Sequence, residues 1–212
     1  LEQEEAGLRK RLAQRAEELT AIRKSAATAL SQAVQEALAF LDMPKVRFEV
    51  AVKDSAEFGA FGRDEVEFLL SANPGEPVGP MVRIASGGEL SRIMLAIRSV
   101  LNERYGVPTA IYDEVDTGIS GRTARKVGIK LAAIAGDTQV ICVTHAAQLA
   151  ACAFHQYRIA KKEENGRTQT EVLLLDYEER IGELARIMGG SVTDATLSAA
   201  KELRLRVEGD SE

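Results

Sequence analysis

Two adjacent carboxylates, Asp113 and Glu114, follow a short apolar run at residues 109–112. If that run is a strand of a parallel sheet, its carboxyl end lies where such sheets bind their ligands. There Asp113 is predicted to hold Mg²⁺, largely through water, because this small cation keeps much of its hydration shell. Glu114 is predicted to orient and deprotonate a water that attacks a γ-phosphate. The alternative is an ordinary acidic turn after a strand.

A second group, Ser86-Gly87-Gly88-Glu89, stands at the start of a helical pattern. Ser86 and Glu89 have the spacing of a capping box, which explains those two residues but not the glycines. A pair of glycines costs backbone entropy, whereas bare N–H groups at the positive end of a helix can meet an anion. On these residues alone, phosphate contact and plain capping both stay open.

His145 follows another apolar run, 138–144, and precedes a short helical pattern. A neutral imidazole there can hydrogen-bond a phosphate oxygen or the attacking water, although a single histidine at a strand end is often incidental. Asp116 begins a glycine-containing turn and is predicted to help position a facing subunit. The order of these groups along the chain is what connects them, since a parallel sheet would bring all of them to one edge.

The elements that must position these residues are predicted from apolar periodicity. Strands are expected at 45–52, 64–71, 108–113 and 138–144, and a loop at 72–80. Helices are expected from Gly87, at 121–135, around 146–153, at 177–190 and at 193–207, the last capped by Thr193 or Asp194. Asn165-Gly166 predicts a hairpin turn between two further strands. Strands alternating with helices favour an α/β fold with a mainly parallel sheet flanked by helices.

Residues 1–42 form the first predicted domain, and 43–212 the second. In the first, apolar residues recur with the heptad steps of a coiled coil, interrupted by Arg15; the members are Leu8, Leu12, Leu19, Ile22, Ala26, Ala29 and Ala33. This pattern predicts one arm of a coiled coil whose partner helix is elsewhere. A long amphipathic helix packed on the globular core is the alternative, and Pro44 is predicted to end the helix in either case.

Composition excludes several classes of protein. The 212 residues carry a formal net charge of −5, which argues against a broadly basic nucleic-acid surface. No apolar run approaches a membrane-spanning length, and the two cysteines predict reduced thiols in a cytoplasmic protein. No Gly-Lys dipeptide occurs, so the lysine-bearing phosphate loop of many nucleotide sites is missing. The sequence also begins without Met, inside a charged helical pattern, so we expect the chain to be a piece of a longer protein.

Four strings together resemble a known family: "IASGGELSRIMLAIR", "DEVDTGISGRTA", "VTHAAQLAA" and the tail "ELARIMGG…T…TLSAAKEL". They are similar to the RecN family, the bacterial SMC-like proteins of double-strand-break repair and recombination. The resemblance implies the C-terminal lobe of an ABC-type, P-loop NTPase-like ATPase head with a stub of coiled coil. One departure from ABC proteins generally is Ala85, where many signature motifs have Leu.

The resemblance also implies roles for the site residues. Ser86, Gly87, Gly88 and Glu89 would form the signature motif that contacts ATP, and Asp116, in the D-loop, would also be one of the cofactor-binding residues. Asp113 would bind Mg²⁺ at the end of a Walker B strand, while Glu114 and His145 would be catalytic. An N-terminal lobe would supply the phosphate loop, and ATP would join the head to a second head in a homodimer.

On this basis the whole protein would hydrolyse ATP, bind DNA and associate with the nucleoid, with no membrane partner. The 212-residue chain alone would be inactive. Two alternatives stay open: the head lobe of another SMC-like recombination ATPase, and a non-enzymatic coiled-coil interaction module. A free-standing nucleotide-binding domain is disfavoured, because no phosphate loop of either common glycine pattern occurs.

Overall fold

The computed structural model describes residues 2–71, 75–81, 87–105, 107–164 and 167–209. The chain divides into two compact units, residues 1–85 and 86–212. The first unit joins the N-terminal helix to the sheet that follows it, because the two are in contact. The predicted division at residue 42 concerns where a coiled-coil arm would enter the head, and it stays a prediction.

Helix α1 runs from Glu2 to Phe40 and ends in a left-handed cap. Asp42 has a φ of 60°, and the Met43 N–H donates to the Leu38 carbonyl at 2.9 Å. A second bond joins the Asp42 N–H to the Ala39 carbonyl at 3.2 Å, which completes a Schellman motif. The helix therefore ends at this cap, four residues before Pro44, which was predicted to end it.

The first unit places α1 against an antiparallel sheet of β1 (Arg47–Gly59), β2 (Gly62–Ser71) and β3 (Gly79–Pro80), paired in that order. Strands β1 and β2 were predicted; β3 lies inside the predicted loop, where its two residues pair with Leu69 and Leu70. The buried side chains of α1 are Ala16, Thr20, Ala27, Val34, Ala37 and Leu38.

The buried face of α1 is not the face with the predicted heptad repeat. Leu8, Leu12 and Ile22 of that repeat are exposed, at 53%, 49% and 67%. Leu19 of the repeat is half-buried, and its side chain lies against Gly62 of β2. Packing on the sheet therefore leaves open the exposed members of the repeat and not the whole heptad face.

The second unit contains the remaining elements: α2 (Gly87–Tyr105), β4 (Thr109–Tyr112), α3 (Gly121–Ile134), β5 (Gln139–Cys142), α4 (Ala147–Ala150), β6 (Tyr157–Glu164), β7 (Arg167–Leu174), α5 (Tyr177–Gly189) and α6 (Asp194–Gly209). Strands β4 and β5 pair in parallel, with Ile111 opposite Ile141. Strands β6 and β7 form an antiparallel hairpin, and the turn residues 165–166 lie outside the described part.

The described sheets are thus less parallel than predicted. A parallel pair needs a crossover of a dozen or more residues, and α3 supplies one between β4 and β5. The β1–β2 and β6–β7 connections are only two residues long, so those pairs are antiparallel; the β6–β7 hairpin was predicted, and the β1–β2 hairpin was not. The α/β class is unaffected by this difference.

Helices α4, α5 and α6 pack into one buried cluster of the second unit with small and branched side chains such as Leu184 and Ala200, and α2 and α3 contribute further buried side chains such as Ile93 and Val127. Helix α5 begins with a capping box between Asp176 and Glu179 and ends at Gly190, whose φ is 71°. Thr193 caps α6, since its hydroxyl accepts the Thr196 N–H at 3.2 Å. In the described part of the chain, no helix has the length and apolarity needed to cross a membrane.

Candidate active site

The carboxyl ends of β4 and β5 form the edge on which the predicted residues gather. The parallel ladder continues past β5, where the Val143 N–H donates to the Tyr112 carbonyl at 2.9 Å. Asp113 and Glu114 follow β4 directly, and both are exposed. The segments after the two strands therefore start side by side, as a parallel sheet requires.

Residues 113–117, called here the acidic turn, reverse the chain after β4. The Thr117 N–H donates to the Glu114 carbonyl at 3.1 Å, and Val115 and Asp116 are buried. Glu114 has a φ of 55°, a left-handed conformation that non-glycine residues seldom adopt. Strained backbone conformations of this kind cluster at functional sites, where the surrounding structure holds the residue in place.

Gly88 has a packing role that the sequence did not reveal. A Cβ at this position would lie 2.9 Å from the Thr117 carbonyl oxygen and 3.4 Å from that of Glu114. Only a glycine lets the first turn of α2 approach the acidic turn so closely. Contact with the acidic turn thus accounts for one of the two glycines without any ligand.

The structure describes the rest of the Ser86-Gly87-Gly88-Glu89 group only in part. Gly87 is the first residue of α2, and Glu89 is half-buried in its first turn. Ser86 lies outside the described residues, so the expected capping box and the expected phosphate contact both stay predictions there.

Arg92 is a residue of the site that sequence reasoning missed. Its guanidinium is buried, and Nη1 donates to the Thr117 carbonyl at 3.1 Å. Burial lowers the pKa of Arg92, and the charge of Glu89 opposes this shift. The available signal was its spacing: Arg92 follows Gly88 by four residues, which puts both on the same face of α2.

His145 lies at the end of β5 beside Asp116. Its side chain is 80% exposed, whereas the Asp116 side chain is 1% exposed, and 3.4 Å separates Nδ1 from Asp116 Oδ2. Asp116 Oδ2 also accepts the Thr144 hydroxyl at 2.5 Å and the His145 and Ala146 N–H groups at 3.1 Å each. Asp116 thus joins the acidic turn to the loop after β5.

Burial and nearby carboxylate charge both act on the Cys142 thiol at this edge. Burial raises the pKa of the Cys142 thiol to about 12, with further contributions from the charges of Asp116 and Asp113. Among the described residues, no group of three or more His, Cys, Asp and Glu side chains is arranged to hold a metal ion. The exposed Asp113 carboxylate suits the oxygen preference of Mg²⁺, which usually completes its shell with water and substrate phosphates.

Contacts therefore connect the three segments that carry five of the predicted site residues: the start of α2 with Gly88, the acidic turn with Asp113, Glu114 and Asp116, and the loop with His145. Sequence reasoning named these five residues but did not foresee the parts played by Arg92 and Thr144.

The chain is 47% identical over 176 residues to DNA repair protein RecN of Vibrio cholerae, a match covering 82% of this chain and 32% of the relative. It is 43% identical to RecN of Deinococcus radiodurans, covering 87% and 32%, and 38% identical to RecN of Bacillus subtilis, covering 92% and 36%. The chain belongs to the RecN family.

The RecN relatives are much longer, since the chain spans about a third of their length. No protein-family model matches the chain. Among solved structures, an Smc head domain with a coiled coil and joint derived from Pyrococcus yayanosii has a TM-score of 0.57 at 18% identity, covering 79% of this chain and 30% of that one.

A second solved structure comes from work on ATP-driven dimerization and DNA-stimulated activation of SMC ATPases. Its TM-score is 0.50 at 19% identity, covering 80% of this chain and 97% of that one. These likenesses show the fold: this RecN-family chain has the architecture of part of an SMC head, which confirms the expected ABC-type α/β class.

Proposed function

We propose that this chain supplies the C-terminal half of an ATP-hydrolysing head in a RecN-family protein of DNA double-strand-break repair. The observation that carries the proposal is the direct contact of the glycine-led helix α2, the acidic turn and the His145 loop at one sheet edge. The role in DNA repair comes from the names of the relatives. A cytoplasmic, nucleoid-associated location is part of the same proposal.

Each predicted residue has a distinct task in this head. Glu114 orients the attacking water and takes its proton, a step that a positioned carboxylate typically accelerates by ~10²–10⁴-fold. His145 donates to or accepts from the reacting oxygens, which its exposed imidazole can reach. Ser86, Gly87 and Gly88 present N–H groups at the positive end of α2 to the γ-phosphate of an ATP held by a second head, with Glu89 beside them.

Asp113 is the residue proposed to hold Mg²⁺. When bound, the ion supplies neutralisation of phosphate charge as it develops during phosphoryl transfer. Asp113 lies directly after β4, and Ser91 donates to its backbone carbonyl at 3.4 Å, so α2 contributes to fixing its position. The carboxylate stays exposed, as a ligand to a substrate-bound cation requires.

Three apolar surfaces support the proposed partners. Ile111, Ile141 and Val143 at the parallel pair are 70%, 46% and 50% exposed, and they suit an N-terminal lobe that completes the sheet and supplies the phosphate loop. One face of the β6–β7 hairpin is apolar and exposed as well. The heptad face of α1 suits the returning helix of an antiparallel coiled coil.

The test uses the full-length protein with Glu114→Gln. We expect ATP turnover to fall by ~10²–10⁴-fold while ATP-dependent association of heads persists or increases, because the variant removes the base and keeps the shape. Steady-state phosphate release and sedimentation with ATP and Mg²⁺ measure the two effects. Glu178→Gln, an exposed carboxylate on α5, is the matched control and leaves both unchanged.

Under this proposal the 212-residue chain hydrolyses no ATP by itself. It hydrolyses ATP once a polypeptide that carries the N-terminal lobe is added. Turnover by the isolated chain, with contamination excluded, would contradict this. If alanine at Asp113 and at Glu114 changed neither hydrolysis nor nucleotide-dependent association, the chain would instead be a non-enzymatic coiled-coil module.

A further inference from the structure

Asp116 uses its carboxylate inside its own lobe. One oxygen, Oδ2, accepts three hydrogen bonds from three consecutive residues: the Thr144 hydroxyl at 2.5 Å and the His145 and Ala146 N–H groups at 3.1 Å. The Thr144 hydroxyl in turn accepts the Ala146 N–H at 3.0 Å. This arrangement fixes the backbone on both sides of His145 while its imidazole stays exposed.

The burial of Asp116 makes these bonds important. Burying a carboxylate costs free energy unless charge-assisted hydrogen bonds replace its hydration. Here residues 144–146 donate those hydrogen bonds. The other oxygen, Oδ1, is buried and has no hydrogen-bond partner among the residues the structure describes. Removing the Oδ2 bonds would therefore leave the carboxylate largely unsatisfied and the loop without its anchor.

The acidic turn that carries Asp116 is itself held from the opposite side. Arg92 of α2 donates to the Thr117 carbonyl at 3.1 Å, and Gly88 admits that carbonyl where any larger residue would collide with it. The first turns of α2, the acidic turn and the His145 loop thus form a continuous series of contacts. Backbone groups and buried side chains therefore hold together residues that are far apart in sequence.

We propose that Asp116 and Thr144 are positioning residues for His145. Thr144 aligns the loop by bonding Asp116 and Ala146, and Asp116 ties that loop to the turn that carries Glu114. This rests on the proposed function for the roles of Glu114 and His145, whereas the anchoring itself is a property of this chain. It gives the Asp116 carboxylate a task within the lobe, in addition to the predicted contact of its turn with a second head.

The first experiment measures anchoring on the 212-residue chain by amide hydrogen exchange and histidine NMR. Thr144→Val removes both hydroxyl bonds with little change in volume, and Asp116→Asn weakens the shared acceptor. We expect exchange at His145 and Ala146 to speed up at least tenfold in both variants, with α5 amides unchanged. The imidazole signals of His145 shift, while those of His155, the second of the two histidines, stay in place.

Thr144→Ser restores the hydroxyl and is expected to restore slow exchange. Thr170→Val, an exposed threonine on β7, is the matched control and leaves the 144–146 amides unchanged. If Thr144→Val folds and exchanges as slowly as the parent chain, the anchor does not exist and the proposal is overturned. If Asp116→Asn fails to fold, Thr144→Val and Thr144→Ser still test the proposed anchor.

The second experiment measures ATP turnover in the full-length protein. Thr144→Val is expected to lower kcat at least tenfold with less than a threefold change in KM, and Thr144→Ser to return kcat to near the parent value. Fast exchange with an unchanged kcat would overturn the positioning role. Failure of the proposed function is separate, because it shows as unchanged turnover in Glu114→Gln while the exchange results stand.

Discussion

Two hairpins in this chain are both antiparallel with two-residue connections, but their apolar side chains have different surroundings. Helix α1 covers the base of the β1–β2 hairpin, where Phe48 and Leu70 are each 5% exposed, whereas side chains toward its turn, such as Phe61, are exposed. The β6–β7 hairpin carries two apolar cross-strand pairs, Tyr157–Leu174 and Ile159–Val172, whose members are 57–65% exposed. The base of the β1–β2 hairpin is packed within its own unit, and the apolar face of the β6–β7 hairpin is exposed.

The difference separates apolar side chains that are packed within their own unit from apolar side chains that are exposed. A lone two-stranded hairpin is marginal in water, and three or more strands or a packed helix are usually needed. The first hairpin has both β3 and α1. The second hairpin shows an apolar face of the kind that marks an interaction surface, consistent with the proposed N-terminal lobe.

The largest effect that tests this comparison is expected in the covered hairpin. Phe48→Ala should lower the free energy of unfolding by about 3–5 kcal/mol, because it removes a buried ring and leaves a cavity. The Phe48 ring also meets Phe68 edge-on at 5.5 Å between centroids. Urea unfolding followed by circular dichroism measures the change. Ile159→Ala is the control and should cost less than about 1 kcal/mol; equal losses would remove the distinction between the hairpins.

A smaller effect, dependent on pH, is expected where the covered hairpin meets α1. Asp64 of β2 accepts the Thr20 hydroxyl at 2.6 Å and an Arg23 N–H at 2.9 Å, and Arg23 also donates to the Phe61 carbonyl at 2.7 Å. The Thr20 hydrogen bond lowers the pKa of Asp64; burial acts in the opposite direction, and Arg23 adds to the lowering.

A carboxyl with a lowered pKa stabilises the folded state fully above its unfolded pKa and loses that contribution as the pH falls through the folded value. Asp64→Asn should therefore destabilise the protein more at pH 7 than at pH 3, and by less than Phe48→Ala at either pH. Asp54→Asn, a more exposed carboxylate in the same hairpin, is the control. Denaturant midpoints between pH 3 and pH 7 measure the change in stability. An equal loss of stability at both pH values would refute a role for the Asp64 charge.

Local patterns predicted the elements that depend on local chemistry. Alternating apolar residues located β1 and β2, and the glycine pair at 189–190 located the end of α5, where Gly190 adopts the left-handed conformation. The end of β4 was likewise readable, because its apolar run stops at Asp113, whereas β5 ends at Cys142, two residues before the predicted end. Such signals need no knowledge of what packs against them.

The parts that sequence could not predict depend on contacts distant along the chain. Asp116 meets Thr144, 28 residues later, only because β4 and β5 pair in parallel in one register. The reason for Gly88 lies in a carbonyl 29 residues away, at Thr117. The proportion of parallel sheet was overestimated for a similar reason, since strand alternation along the chain does not say which strands pair.

The smallest effect on this chain is expected from the uncovered hairpin. Ile159→Ser with Val172→Ser changes both members of one exposed cross-strand pair, so the free energy of unfolding should move by no more than about 0.5–1 kcal/mol. The same double variant should weaken binding of the missing lobe at least tenfold, because it removes the apolar area available to that partner. Calorimetric titration with the lobe measures this, with Thr170→Ser on the same hairpin as control. A large loss of stability in the chain alone, with lobe binding intact, would mean that this face is already packed within its own unit and that the two hairpins do not differ as their exposure indicates.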